Sequence, residues 1–187
     1  MLSSYAFSLL LCACASPQTS KEDFDKQQAA KARVELGIGY LEQRELSLAK
    51  QNLDKALAYA PNYYLVHSAL AYFYQLQGDN GRAENAYLTA LKLDDKQGNV
   101  FNNYAVFLCK QGRFTQAYQQ FQQALNSPNY YQQTDTYENL ALCALAEKNT
   151  ALYQQYRELL EKQYQPVPNC CLQLWVNNKF LLGFWEN

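Results

Sequence analysis

The chain has 187 residues, a formal net charge of −1 and only 18% charged residues, so no face-wide basic run exists to give nucleic acid an electrostatic foothold. Its one histidine, His67, has no credible Ser or Cys nucleophile to pair with, and neither a glycine-rich phosphate loop nor a metal-ligand spacing occurs. The sequence therefore predicts no enzyme, no metal, no cofactor and no small-molecule substrate.

Residues 1–13 carry no charge, and 5–13 are apolar apart from Ser8. This run is short of the roughly 20 apolar residues that span a bilayer, but it fits the core of a signal peptide. It leads into Leu11-Cys12-Ala13-Cys14, a small residue directly before a Cys. The string resembles the lipobox of bacterial lipoproteins, which are cut before a Cys whose thiol then carries the lipid. Cys14 is the matching residue, because cleavage before Cys12 would put Leu11 at the small-residue position. Ala15 stands where an Asp holds many such lipoproteins at the inner membrane. The resemblance thus implies an outer-membrane anchor facing the periplasm. It departs from the pattern in one respect, since the first basic residue is Lys21. The competing reading is a frayed apolar N-terminus on a cytosolic protein. Residues 14–19 read as a tether; at about 3.3 Å per residue, the five residues after Cys14 hold the domain within roughly 17 Å of its lipid. Ser20-Lys21-Glu22-Asp23 resembles a capping box that opens the first helix of a domain over 20–168.

From residue 30 the chain superimposes on itself at an offset of 34 residues, in units 30–63, 64–97 and 98–131. Small residues coincide at Gly37, Ala71 and Ala105, at Ala49, Ala83 and Ala117, and at Ala56, Ala90 and Ala124. Large ones coincide at Leu36, Leu70 and Tyr104, at Tyr40, Tyr74 and Leu108, at Leu53, Tyr87 and Phe121, and at Leu57, Leu91 and Leu125. Two antiparallel helices approach closely only where one offers Gly or Ala and the other fills the gap. This is the tetratricopeptide (TPR) pattern, and it predicts an all-α, right-handed superhelical solenoid of about four helix pairs. Gly78 and Gly112 mark the ends of first helices, where a left-handed residue is needed. The first unit has Gln43-Arg44-Glu45 there, a weaker stop. Pro61-Asn62, Asp94-Asp95 and Pro128-Asn129 punctuate the unit boundaries, and the Asp pair reads as solvated. His67 falls at a core packing position.

A fourth unit, 134–167, follows after two extra residues, with Tyr137, Leu140, Ala141 and Ala144 in the places of Phe101, Tyr104, Ala105 and Leu108. Its second helix is degenerate, with Tyr153 where the other units have Ala, as expected for an end unit with one neighbour. Pro166 and Pro168 close it. The stretch 169–187 holds Cys170, Cys171, Trp175 and Trp185 among apolar residues. It reads as a truncated further repeat, a cap on the fourth unit, or a docking patch.

Cys109 and Cys143 fall at the twelfth and tenth positions of their units, in neighbouring first helices that run near-parallel. The two thiols are placed either to bridge, as a periplasmic address permits, or to pack as small buried residues. First helices line the concave face of a TPR stack at the second, fifth, ninth, twelfth and thirteenth positions. These positions nominate Val34, Ile38, Leu41, Leu65, Ser68, Tyr72, Gln75, Leu76, Asn99, Asn102, Val106, Glu138 and Leu142 as a partner-binding groove. Apolar, amide and Tyr groups suit an extended peptide or a helix. With Lys110 nearly alone, no clamp for a C-terminal carboxylate is apparent.

The strings KARVELGIGYL from Lys31, NNYAVFLC from Asn102 and ENLALCA from Glu138, together with the lipobox, resemble the type IV pilus biogenesis lipoproteins of the PilF/PilW family, the pilotins of the pilus secretin. The match covers about 31–160. The resemblance implies an outer-membrane lipoprotein that binds secretin subunits and promotes their localisation and assembly into the ring through which the pilus emerges. It also implies a bridge between Cys109 and Cys143. Family members usually continue with further helices after the fourth unit. A periplasmic TPR adaptor for cell-wall synthesis or outer-membrane protein assembly shares the same fold and anchor. A cytosolic co-chaperone requires the lipobox to be accidental.

Overall fold

The computed structural model describes residues 21–163, which form eight α-helices and no strand among the described residues. They are α1 (Lys21–Glu42), α2 (Leu46–Tyr59), α3 (Tyr64–Leu76), α4 (Asn80–Leu93), α5 (Gly98–Lys110), α6 (Phe114–Asn126), α7 (Gln133–Ala146) and α8 (Thr150–Gln163). The helices pack as successive hairpins, α1 with α2, α3 with α4, α5 with α6 and α7 with α8. Each hairpin then packs on the next through α2–α3, α4–α5 and α6–α7. The turns within hairpins lie along one edge of the stack. The loops between hairpins, the start of α1 and the end of α8 lie along the opposite edge. Ser20, the expected cap of α1, lies outside the described residues, as do Pro166, Pro168 and the stretches 1–20 and 164–187.

The repeated alanines form the seam inside each hairpin. Ala49, Ala83, Ala117, Ala56, Ala90 and Ala124 are all fully buried on the second helices, and Leu53, Tyr87 and Phe121 lie buried between them on the same helices. Gly37 takes the place of Ala71 and Ala105 because Leu53 presses closer: a Cβ on Gly37 would lie 2.9 Å from Leu53 Cδ2. The fourth hairpin departs as its sequence suggests. Arg157 occupies the equivalent of Phe121, lies exposed, and bonds Glu161, while Leu160 alone among the described side chains of α8 is buried.

The turn within each hairpin has one geometry in all four copies. Gly78 and Gly112 adopt φ of 74° and 71°, and Arg44 and Lys148 take the same left-handed conformation at 59° and 64°. The weak stop of the first unit is therefore a turn of the same shape, held without glycine by the Arg44 and Glu45 amides, which donate to the carbonyls of Leu41 and Tyr40. Such a conformation costs an L-residue roughly 1–2 kcal/mol.

Burial between hairpins falls on the third, seventh and tenth residues of each unit. In the second, third and fourth units these are Val66, Leu70 and Phe73; Val100, Tyr104 and Phe107; and Thr136, Leu140 and Cys143, all buried. In the first unit they are Ala32, Leu36 and Gly39, and Leu36 is 45% exposed. The sequence pattern placed Leu36 with Leu70 and Tyr104 as a packing residue. The structure corrects this, because that face packs on the preceding hairpin and no described helix precedes α1. Residues 21–29 of α1 extend past the first hairpin and are exposed.

His67 is also not a core residue. It is half-buried, and its Nε2 donates to the Pro61 carbonyl at 2.7 Å. Asp94, read as solvated, is half-buried and accepts from the Lys96 amide and the Gln97 side chain, whereas Asp95 is exposed.

Candidate functional site

Helical spacing brings the candidate groove residues of α1, α3, α5 and α7 to one side of the stack, but they do not share one environment. Val34 and Leu41 are 1% and 2% exposed, so both belong to the core rather than to a lining. Their burial follows from the close packing of α1 on α3. Asn102 and Glu138 are likewise buried, and Asn102 Oδ1 accepts from Asn139 Nδ2 at 3.2 Å across α5 and α7. Leu76 is exposed at the end of α3. The half-buried members, those able to meet a partner without repacking, are Ile38, Leu65, Ser68, Tyr72, Gln75, Asn99, Val106 and Leu142.

Cys109 and Cys143 form a disulfide, with Cα atoms 5.8 Å apart. It ties the twelfth position of α5 to the tenth position of α7, inside a core where both residues are buried. The two-residue insertion before the fourth unit does not disturb this meeting.

A polar network that the repeat pattern did not reveal joins the second and third hairpins. Glu84 Oε1 on α4 accepts from Tyr104 Oη of α5 at 2.9 Å and from Arg113 Nη1 at the start of α6 at 2.7 Å. Burial raises the Glu84 carboxyl, but the bonds from Arg113 and Tyr104 outweigh it and hold the group below its usual range. The Tyr104 hydroxyl is pushed up to about 12, first by burial and then by its bond to Glu84. Beneath it, the Tyr104 ring lies 5.4 Å from that of Tyr87, which is fully enclosed and donates to Gln75 Oε1. Burial raises the Tyr87 hydroxyl too. At the next interface Tyr118 Oη donates to Glu147 at 2.8 Å, one hydroxyl replacing the ion pair. The only sequence signal for the network was a Tyr, able to donate, at position 104 where the second unit has Leu70.

The turn edge carries a further ordered cluster. Asp79 caps α4 by accepting from the Arg82 amide, and the Arg82 guanidinium bonds Asp79 and lies 4.6 Å over the Tyr74 ring. Among the described residues no group of three or more His, Cys, Asp or Glu side chains is arranged to hold a metal ion. No described helix is long and apolar enough to cross a membrane.

Comparison with known proteins places this geometry. No family model matches the sequence. The chain is 52% identical over 161 residues to an uncharacterised protein of Haemophilus influenzae, covering 86% of this chain and 89% of that protein. It is 32% identical over 154 residues to the type IV pilus assembly protein PilF of Pseudomonas aeruginosa, covering 82% of this chain and 61% of PilF. The solved structure of that PilF superimposes with a TM-score of 0.70 at 30% identity, over 84% of this chain and 72% of the other. PilW, a type IV pilus biogenesis factor, shares the fold at a TM-score of 0.67 and 24% identity, over 74% of this chain and 64% of PilW. The chain thus spans about three fifths of the length of PilF. With its stacked helical hairpins and its sequence kinship to PilF, the chain belongs to the PilF/PilW family of tetratricopeptide type IV pilus biogenesis proteins.

Proposed function

We propose that this protein is a lipid-anchored scaffold of the outer membrane that binds the secretin of the type IV pilus machine and promotes its localisation and multimerisation. The observation that carries the proposal is the extended match to PilF, in sequence and in fold, over most of the described helices. The anchor is assigned to Cys14, which lies outside the described residues and whose setting after Leu11-Cys12-Ala13 fits a lipobox. The half-buried side chains on the first helices offer apolar, amide and phenolic groups to a protein segment, and a stack of hairpins presents them on one rigid surface.

The test is a deletion strain complemented with wild type or with Cys14→Ser. Loss of pili and of outer-membrane secretin multimers in the deletion, restored by the wild type, is the expected result. Cys14→Ser should lose palmitate labelling and leave secretin rings in the wrong membrane, while the purified domain still binds secretin. Normal secretin multimers in the deletion strain would refute the role, and a label that persists in Cys14→Ser would refute the anchor.

A further inference from the structure

The stack breaks its own period at one place, and the break puts an aromatic ring in water. The connections between hairpins are four residues long at 60–63 and 94–97, but six at 127–132, between α6 and α7. The added length is clamped. Asn129 takes the left-handed conformation at φ 56°, which Asn tolerates better than most residues. The next residue, Tyr130, turns inward. Its ring lies where a Cβ on Gly98 would stand only 2.5 Å away, and its hydroxyl shares a hydrogen bond with that of the buried Thr136 at 2.7 Å. Tyr131 turns the other way and is 89% exposed, more than any other large hydrophobic side chain among the described residues. One tyrosine thus fixes the connection, and its neighbour is displayed from it. The displayed ring adds almost nothing to the core, so packing gives no reason for an aromatic residue at 131.

The surface that leads to this ring is polar and uncharged. Residues 114–134 contain no Asp, Glu, Lys or Arg. Gln119, Gln123 and Asn126, spaced by four and three residues, form an exposed row on α6 that runs to the same edge. Asn129 and Gln132 flank Tyr131 in the connection, and both are exposed. A charged partner finds no counter-charge in this stretch. A protein hot spot requires a desolvated pocket around its anchor, whereas the neighbours of Tyr131 are solvated amides. Carboxamides donate and accept at once, which is what hydroxyl and acetamido groups need. The face of an aromatic ring carries negative charge density and takes the C–H side of a sugar ring. We propose that the 127–132 connection, together with the exposed row of α6, is a binding surface for a neutral glycan built of acetamido sugars. Tyr131 stacks on one sugar ring, Asn129 and Gln132 bond its hydroxyl and acetamido groups, and the α6 row continues the contact along the strand. The proposal goes beyond the secretin reading and does not depend on it.

The experiment uses the full chain and three probes: soluble oligomers of N-acetylglucosamine, glucose oligomers of the same length, and vesicles of phosphatidylethanolamine with phosphatidylglycerol. Affinities are read from titrated NMR shifts, and saturation transfer reports which sugar protons touch the protein. The wild type should bind the N-acetylglucosamine oligomers, with saturation strongest on ring C–H and acetyl protons, and added salt should leave the affinity unchanged, because no charge takes part. Tyr131→Ala should weaken binding roughly tenfold, as loss of an aromatic anchor does, with no change in melting temperature. Tyr131→Phe, which keeps the ring, should bind as wild type. So should Tyr59→Ala, which removes another exposed tyrosine from the same edge. Gln132→Ala and Gln123→Ala should each weaken binding severalfold. Failure of the wild type to bind N-acetylglucosamine oligomers, equal binding of glucose oligomers, or wild-type affinity in Tyr131→Ala would each overturn the proposal. Binding to the vesicles that depends on Tyr131 would overturn it too, since the ring would then serve a membrane surface.

Discussion

The first and third hairpins share a repeat, yet they meet their surroundings in opposite ways. The third turns Val100, Tyr104 and Phe107 toward the preceding hairpin and buries all three, while the first presents Ala32, Leu36 and Gly39 at the same positions to no described hairpin. Small residues at two of those three positions reduce the apolar surface left on the first described hairpin, where no described neighbour repays its desolvation. A repeat position thus has no fixed energetic worth. Its worth is set by whether a neighbour covers it.

The sharpest way to break this comparison is to make the same deletion at both ends of it. Tyr104→Ala should cost about 3–5 kcal/mol, the range for emptying a large aromatic site, and should also leave Glu84 with Arg113 alone. Leu36→Ala should stay within about 0.5 kcal/mol, as surface changes do. Urea unfolding midpoints of the two variants decide the matter, and equal shifts would show that the seventh position acts within its own hairpin.

The next effect separates the stapled region from the unstapled one. Cys109→Ser with Cys143→Ser removes a bridge of sequence separation 34, worth roughly 3–4 kcal/mol in the chain-entropy model. Hydrogen exchange should then quicken in α5 to α8 well before α1 and α2. Uniform quickening would mean that the stack unfolds as one unit and that the bridge does not divide it.

Glycine gives a smaller contrast of opposite sign. A Cβ on Gly98 would lie 2.5 Å from the Tyr130 ring, which is itself tied by its hydroxyl to Thr136 at 2.7 Å. Gly98→Ala should therefore destabilise by about 1–3 kcal/mol through overpacking. Gly39, on the uncovered outer side of α1, meets nothing within 4 Å. Gly39→Ala should stabilise by about 0.5–1 kcal/mol, because alanine is the better helix former. Melting temperatures that move in the same direction for both would contradict the assignment of covered and uncovered faces.

The smallest effect is a pH signature of the Glu84 network between the second and third hairpins. The Glu84 carboxyl is depressed in the folded state, so its contribution is present above the ordinary carboxylate range and is lost as pH falls through the folded value. The Tyr104 hydroxyl is raised to about 12, so its contribution is full below the ordinary phenol value and is lost as pH rises through about 12. Glu84→Gln should flatten the acid limb of a stability profile and lower the alkaline limit, a pattern that a substitution at the exposed Glu35 should not reproduce.

Much of the architecture was legible because hairpin seams demand small residues at fixed spacing, and Ala49, Ala83 and Ala117 obey that demand with no exposed area. What the repeat could not supply was context between units. Val34 and Leu41 carry groove positions in a generic stack, but α3 closes over them. Ser68 and Gln75 carry the same positions and stay open, and no residue in either string announces the difference. The Glu84 network was hidden for another reason: its charged members lie on α4 and just before α6, where charge reads as solvation until the neighbouring hairpin is in place.

Parity has a mechanical consequence. Eight antiparallel described helices bring residue 163 back to the edge from which residue 21 departs. A load applied between these two points pulls along the stack and across the helices, so hairpins peel away one at a time instead of shearing together. Peeling from the N-terminal side meets the uncovered first hairpin before any other. Between residues 109 and 143 the chain cannot lengthen at all while the bridge is intact. Under tension the molecule would yield as an extensible leader ahead of a stiff block, with the contact between the second and third hairpins standing at the change from one to the other.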